Sequence, residues 1–400
     1  MLVTAALVAA CTAARDSAAP IHRDSAGVSL IEYPTTFAAT GGRHWSTDPD
    51  PIFSIGEKEP ELFIVETALF QSDGGVVVAN GGASELLLFD PNGRLRARAG
   101  GQGGGPGELH QLSSLSIGPG DSLFVYDARE RRLSVFDPGG AFARALTLQG
   151  VDTLGNAMDV GVLRSGEIIA AFSRHGAGTG LVRDSVVVVT FAPSGTPTAL
   201  LGVFPHVYVD LGPHTTPGGG TAAYPVPALL SGMTAVSPGD RAIFVGVPEP
   251  YSLTRISTSG SLRVTRQRDL PPAVTDADRE RFVAALELRR SAVEERDMVR
   301  RLRSPPTLPA FGFDPMTSMV GEQALLVTDA GGVWLHPFQF PHDSTAAPWP
   351  RFDAEGLYEG TVTLPPRFRA TAVRGDVVLG VYMDSTDVEV VRAYRLVAQR

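Results

Sequence analysis

The sequence is poor in cysteine and lysine: Cys11 is the single cysteine and Lys58 the single lysine among 400 residues. One cysteine excludes an internal disulfide framework and a zinc site built on several thiolates. The net charge of -9 disfavours a nucleic-acid-binding surface, because such surfaces need clustered cations. The 44 glycines and 31 prolines are too few for a collagen or low-complexity chain. The composition therefore predicts a folded globular protein with a sizeable core.

The amino-terminal residues 2–14 are small or apolar and uncharged, and the run is too short to span a bilayer. Within it, Val8-Ala9-Ala10-Cys11 resembles the lipobox of bacterial lipoproteins. The resemblance implies that Cys11 is lipidated and that the protein is exported and anchored in the cell envelope, in the periplasm or on the outer surface. An ordinary cleaved signal peptide and an incidental hydrophobic start remain alternatives. We assign residues 1–24 to signal and tether, and 25–400 to one domain.

A repeated pattern of strands and glycine turns dominates that domain. The clearest copy is Ser72–Gly75, then VVVAN, ELLLF, Asp90–Gly93 and RLRARAG. The next has Gly118–Asp121, SLFVYD, RLSVF, Asp137–Gly140 and AFARALTL. Alternating apolar residues between such turns predict a four-stranded antiparallel meander in each copy.

Six copies can be aligned on one glycine each, with steps of 46, 46, 73, 92 and 44 residues. A base period of about 45 is typical of a propeller blade, and a radial arrangement lets each sheet bury its faces against its neighbours. The sequence therefore predicts an all-β, six-bladed β-propeller. The anchors are Gly74, Gly120, Gly166, Gly239, Gly331 and Gly375.

The sixth copy ends after its third strand, which would leave an open sheet edge. Two runs before the first copy, Val28–Tyr33 and His44–Ile55, could supply the missing strand. We expect the second of them to do so, because it leads directly into the first blade.

The connection Gly100–Leu109, with the sequence GGQGGGPGEL, resembles the Gly-x-Gly-Pro-Gly-Glu-Phe connection of NHL-repeat and related TolB-like six-bladed propeller lipoproteins of bacteria. The resemblance covers about residues 25–400. It implies the fold and leaves the activity open.

The two long steps in the repeat predict insertions at 204–232 and 271–311, on the face where all connections between blades emerge. The second contains a helix that begins after Thr275, with Asp278 three positions on as in a capping box, and continues to about Leu302. Its charges nearly balance, which favours a solvated lid helix over a clamp for an anionic ligand or partner. Loops gathered on a rigid scaffold are where function usually resides.

The candidate site residues lie at the channel mouth. The inner strands offer two carboxylates, Glu66 and Asp159, together with Arg369, and Glu108 lies in the glycine-rich connection. An ion pair between Glu66 and Arg369 is the preferred interpretation. A calcium or zinc site built on Glu66 and Asp159 is the alternative. No catalytic residue is predicted, because the histidines lack metal-site spacing and no Gly-x-Ser-x-Gly motif occurs.

Two functions remain open at the level of sequence. The first is a monomeric, non-enzymatic envelope propeller that binds a protein, peptide or glycan on its insertion-rich face, without a cofactor and without nucleic acid. The alternative is a metal-dependent lyase or lactonase that uses the central channel and holds calcium or zinc there.

Overall fold

The computed structural model describes most of the chain between Ala19 and Gln399, with gaps. Cys11 and the lipobox lie outside the described part, as do residues 290–311 of the second predicted insertion. No helix among the described residues is both long and apolar enough to cross a membrane. The described residues are 19–37, 41–57, 61–155, 157–215, 221–223, 226–227, 234–239, 242–248, 251–257, 260–269, 275–289, 324–337 and 346–399.

In the described part of the chain, four strands precede the first repeat. They are β1 (Ile21–Ser25), β2 (Val28–Tyr33), β3 (Arg43–Thr47) and β4 (Phe53–Ile55).

The first two repeats form antiparallel four-stranded meanders, as the sequence predicts. Their second strands are buried at every position, although alternation was expected, because each is covered on both faces. Short 3-10 turns span Gly81–Ala83 and Pro119–Asp121. Sheet one consists of β5 (Val65–Phe70), β6 (Val76–Asn80), β7 (Glu85–Phe89) and β8 (Leu95–Gly100), and sheet two of β9 (Leu112–Ile117), β10 (Leu123–Asp127), β11 (Arg132–Phe136) and β12 (Phe142–Thr147).

The third and fourth meanders are separated by the first predicted insertion. Its beginning is part of the sheet, because β16 continues to Asp210 and pairs with β15 along most of its length. The strands are β13 (Ala157–Val162), β14 (Ile168–Arg174), β15 (Leu181–Phe191) and β16 (Pro197–Asp210) in sheet three, the hairpin β17 (Pro213–Thr215) and β18 (Thr221–Ala223), β19 (Val226–Pro227) on the end of β16, and β20 (Ala235–Pro238), β21 (Ala242–Pro248), β22 (Tyr251–Ser257) and β23 (Leu262–Gln267) in sheet four.

The helix of the second insertion is α1 (Asp276–Arg289). Its capping box is confirmed: the Thr275 amide donates to Asp278 Oδ2 at 2.9 Å, and the Asp278 amide donates to Thr275 Oγ1 at 3.2 Å. The predicted continuation to Leu302 lies outside the described residues. After it come β24 (Leu325–Val327), β25 (Val333–Leu335), β26 (Trp349–Phe352) and β27 (Tyr358–Thr363) in the fifth meander, and β28 (Phe368–Arg374), β29 (Val377–Met383) and β30 (Glu389–Gln399) in the sixth.

The first strands of successive meanders lie next to one another. The contacts run β5–β9, β9–β13, β13–β20, β20–β24, β24–β28 and β28–β5. The described residues form six hydrophobic clusters between consecutive meanders, including one between the sixth and the first. The sheets therefore pack face to face in a propeller-like arrangement.

The amino-terminal strands pair with late sheets. In the second predicted run, β4 pairs antiparallel with β30, while β3 pairs with both β30 and β27 and so joins the fifth and sixth meanders into one nine-stranded sheet. The first run supplies β2, which pairs in parallel with β23 of sheet four. The approach of β3 depends on Gly360, since a Cβ there would lie 1.8 Å from the main-chain oxygen of Arg43.

Antiparallel meanders place alternate turns on opposite faces. The turn at Gly81–Ala83, the turn after Asp127 and the connection 101–111 lie on one face, which we call the connection face. The connection is held there by the Gly101 amide, which donates to the oxygen of Ser84 at 2.8 Å. The turns at Ser72–Gly75 and Asp90–Gly93 lie on the other, which we call the turn face.

Candidate functional site

Glu66 and Arg369 are brought together by the contact between the first and sixth inner strands. The guanidinium of Arg369 donates from Nη1 to the main-chain oxygen of Glu66 at 2.9 Å and from Nη2 to that of Val65. These hydrogen bonds tie two sheets that are far apart in sequence. The charge of Arg369 also acts on the Glu66 carboxyl, where it favours ionisation.

The Glu66 carboxyl is half-buried, and this burial raises its pKa above the ordinary value. Arg369 opposes the rise, and the nearby carboxylate of Glu389 adds to it. Glu389 has a structural task of its own, because its Oε2 accepts a hydrogen bond from the Val65 amide at 2.7 Å.

Asp159 lies on β13, the inner strand of sheet three. Along the series of inner-strand contacts, sheets one and two lie between this sheet and sheet six, which carries Arg369. Its side chain is partly exposed to solvent, but most of the atoms around the carboxyl belong to the protein. The resulting loss of hydration raises the pKa of Asp159 to about 6. A carboxyl with such a pKa holds a proton over part of the mildly acidic range.

Glu108 forms hydrogen bonds that stabilise the glycine-rich connection in which it lies. Its Oε2 accepts a hydrogen bond from the Gly105 amide at 2.8 Å, and its main-chain oxygen accepts one from Arg132 at 2.7 Å. The side chain is folded back on the glycine-rich connection on the connection face. The structure thus gives this residue a role in shaping the loop that the sequence did not predict.

Bulges interrupt the inner strands of sheets one, two, three and six. In the first three, the extra residue is the second of the strand: Glu66, Ser113 and Met158. A bulge redirects side chains at the rim of a sheet. These residues therefore share one level, close to the connection face.

Phe63 and Ile64, which precede β5, are a feature that sequence analysis missed. Their side chains are 61% and 44% exposed. Ile64 adopts φ +51°, a costly conformation for a β-branched residue. It lies directly before the inner strand that carries Glu66.

Hydrogen bonds to the end of β6 and the turn after it hold the backbone of this apolar pair. The Gly81 amide donates to the oxygen of Ile64 and the Gly82 amide to that of Phe63, both at 2.9 Å. The Phe63 amide donates to Asn80 Oδ1 at 2.8 Å. The ring of Phe63 lies over Gly82, where a Cβ would be 2.1 Å from its Cδ1. The backbone of the pair is therefore held in one conformation.

Sheet two repeats this frame with different side chains. The His110 amide donates to Asp127 Oδ2 at 2.6 Å, which matches the contact between Phe63 and Asn80 at the same separation of 17 residues. His110 thus stands where sheet one has Phe63, and its Nδ1 lies 2.6 Å from Glu130. Aligning the repeats on Asn80 and Asp127 is the signal that could have identified Phe63.

Sheet three carries a second pair of a histidine and an acid. Nδ1 of His175 lies 2.7 Å from Oδ2 of Asp184, which is buried while the imidazole is exposed. Nearby His206 is buried, and the loss of hydration lowers its pKa to about 4. Its Nδ1 accepts a hydrogen bond from the Thr234 amide at 3.1 Å, as a neutral imidazole can.

Within the described part of the chain, no three His, Cys, Asp or Glu side chains are grouped as metal ligands would be. Glu66 and Asp159, the pair proposed as calcium or zinc ligands, lie on sheets one and three.

Residues 64–155 match the sequence profile of a family described as a 6-bladed beta-propeller, DUF5128. No curated protein matches the chain. Among solved structures, a DUF4221 family member from Bacteroides vulgatus has a TM-score of 0.54 at 10% identity, over 90% of this chain and 100% of that one.

Two further solved structures are similar at lower scores. A putative exported protein from Bacteroides fragilis has a TM-score of 0.46 at 10% identity, with 89% of this chain and 99% of that one covered. A gluconolactonase from Xanthomonas campestris has a TM-score of 0.40 at 12% identity, with 89% and 98% covered. At such identities the likeness concerns the fold alone. The comparisons show that the chain is similar to β-propellers.

Proposed function

We propose that this chain is an exported, lipid-anchored six-bladed β-propeller that acts as a binding protein, with its ligand site on the connection face. The ring is supported by the inner-strand contacts from β5 round to β28 and back, and by the six clusters between consecutive meanders. In the anchored form, Cys11 carries the lipid. The ligand is a protein, a peptide or a glycan.

The observation that carries the binding role is the exposed pair Phe63–Ile64, whose backbone is fixed by hydrogen bonds. Covering large, exposed apolar side chains with a partner lowers the free energy, because it removes them from water. A rigid site loses little conformational entropy on binding. Both residues project from the connection face, beside the inner strands and next to the loops.

Blocking each face in turn tests this proposal. In a Cys11→Ala background, a new thiol is introduced at exposed Arg129 on the connection face or at exposed Asn92 on the turn face. Each variant is coupled to a long polyethylene glycol chain that shields the surrounding surface, and is used to capture ligands from solubilised envelope and from its glycan fraction. The uncoupled variants are the matched controls.

We expect the polymer on Arg129→Cys to remove the captured species and the polymer on Asn92→Cys to leave them. Loss of binding only with Asn92→Cys would place the site on the turn face and contradict the proposal. Equal capture by all four preparations would contradict any site on either face.

A further inference from the structure

The site on the connection face has a chemical character that narrows its ligand. We infer that it binds a peptide segment in which an apolar side chain stands next to a basic one, with the apolar group against Phe63 and Ile64 and the cation towards Glu66. This inference rests on the proposed binding function and specifies its ligand.

The apolar part of the site extends beyond one strand. Glu389 binds the Val65 amide, which brings the turn before β30 next to Ile64. On that turn Val388 is 46% exposed. Phe63, Ile64 and Val388 form what we call the rim patch, which joins the first and sixth meanders.

The charges next to the rim patch are negative in sum: the carboxyls of Glu66 and Glu389 face the single guanidinium of Arg369, while Asp387 beside Val388 is paired with Arg367. Glu66 Oε1 lies against Gly81, whose amide binds the oxygen of Ile64, so the carboxyl is directly behind the patch. The Arg369 guanidinium is held by the oxygens of Val65 and Glu66. Glu389 adds a second acidic group. A carboxylate that has lost part of its hydration gains more from a cation than an exposed one does.

This combination favours a peptide over a glycan. A neutral sugar has no cation for Glu66. The ring of Phe63 is packed on Gly82 on one side, and its neighbours Ile64 and Val388 are aliphatic and add no second ring for stacking. A lysine or arginine beside a leucine or phenylalanine supplies both contacts. The net charge of -9 on the whole chain also attracts basic peptide segments.

The backbone at Ile64 allows a variant that removes the contact without damaging the fold. Glycine adopts φ +51° without strain, and this offsets its greater entropy loss on folding. Ala26, in the turn between β1 and β2, is exposed and has φ +50°, and its sheet does not contribute to the rim patch. Ala26→Gly is therefore a matched control that changes the same kind of backbone position and alters no charge.

The test is fluorescence anisotropy with labelled hexapeptide mixtures, centred on Phe-Lys, Phe-norleucine or Phe-Glu, and with labelled chitotetraose as the glycan probe. We expect wild type to prefer the Phe-Lys set over the norleucine set about tenfold, as one added charge contact allows. Glu66→Gln should abolish that preference and keep the norleucine affinity. Ile64→Gly should weaken both about tenfold at an unchanged melting temperature, and Ala26→Gly should change neither affinity.

Several results would overturn the inference. Equal binding of the lysine and norleucine sets would show that the ligand needs no basic side chain. Unchanged binding by Ile64→Gly would show that the rim patch does not contact the ligand. Binding of chitotetraose alone, or of no probe, would refute a peptide ligand. If ligand capture is still blocked by the polymer at position 129 in these cases, the proposed function stands and only this ligand class fails.

Discussion

The guanidinium of Arg369 donates a hydrogen bond to the main-chain oxygen of Glu66 at 2.9 Å, across 303 residues of sequence. The same group also binds the oxygen of Val65. The last meander is thereby attached to the first by a charged donor at their inner edge. Thr371 repeats this connection one step along, with Oγ1 donating to the oxygen of Ala68 at 2.7 Å.

Arg369→Leu should lower the free energy of unfolding by about 2 to 4 kcal/mol, because two main-chain oxygens lose a charged donor. Urea unfolding measures the change. The control is Arg98→Leu, which removes an exposed ion pair with Glu85 and should cost less than about 1 kcal/mol. Equal effects of the two variants would deny Arg369 any role in joining the sheets.

Phe37 should anchor the amino-terminal segment. Its side chain is buried between Tyr33, Tyr251, Phe352 and Tyr358, with ring centroids 4.9 to 5.8 Å away. Phe37→Ala should cost about 3 to 5 kcal/mol in urea unfolding. Ile21→Ala, at an exposed position of β1, should be close to neutral. A small effect at Phe37 would show that the segment is dispensable for stability.

Asp159 should make the protein less stable as the pH rises from about 4 to 6. The unfolded carboxyl loses its proton near pH 3.8, whereas the folded one keeps it to about 6, so the folded state binds more protons in this window. Asp159→Asn should remove this penalty, which is at most about 3 kcal/mol above pH 6. Urea unfolding at several pH values, with exposed Asp152→Asn as control, checks it. A wild-type slope retained in Asp159→Asn would contradict the assignment.

His206 should act in the opposite direction. Burial lowers the pKa of His206 to about 4. Between pH 6.5 and 4 the imidazole is therefore protonated in the unfolded state and neutral in the folded state. Stability therefore falls as the pH is lowered through this range. His206→Asn keeps an acceptor for the Thr234 amide and should flatten this slope. A slope unchanged by the substitution would show that the imidazole titrates in the folded state.

Cys11→Ala should release the protein from the membrane fraction of cells that export it, because the proposed lipid would have no attachment point. Cell fractionation and mass spectrometry of the mature amino terminus check this prediction. Retention of the variant in membranes, together with an unmodified wild-type terminus, would refute the anchor.

The sequence predicted the meanders well, because turns such as Asp73-Gly74-Gly75 bound strands that must be buried. It also assigned the second amino-terminal run to the last meander, where β3 and β4 pair with β30. It could not predict that β3 would pair with β27 as well, since this approach depends on Gly360, more than 300 residues away. Likewise, Phe63 and Ile64 adjoin the apolar residues of β5 in sequence, so the local pattern gives no sign that they face solvent. Their exposure follows from distant hydrogen bonds, to Asn80, Gly81 and Gly82, which fix their backbone before the strand begins.

Hydrogen–deuterium exchange of the protein with and without its captured ligand tests the central claim most directly. Our account predicts slower exchange on the connection face, at residues 61–66 and 127–132, and unchanged exchange on the turn face, at residues 72–75 and 137–141. Protection confined to the turn-face segments would contradict a binding site on the connection face.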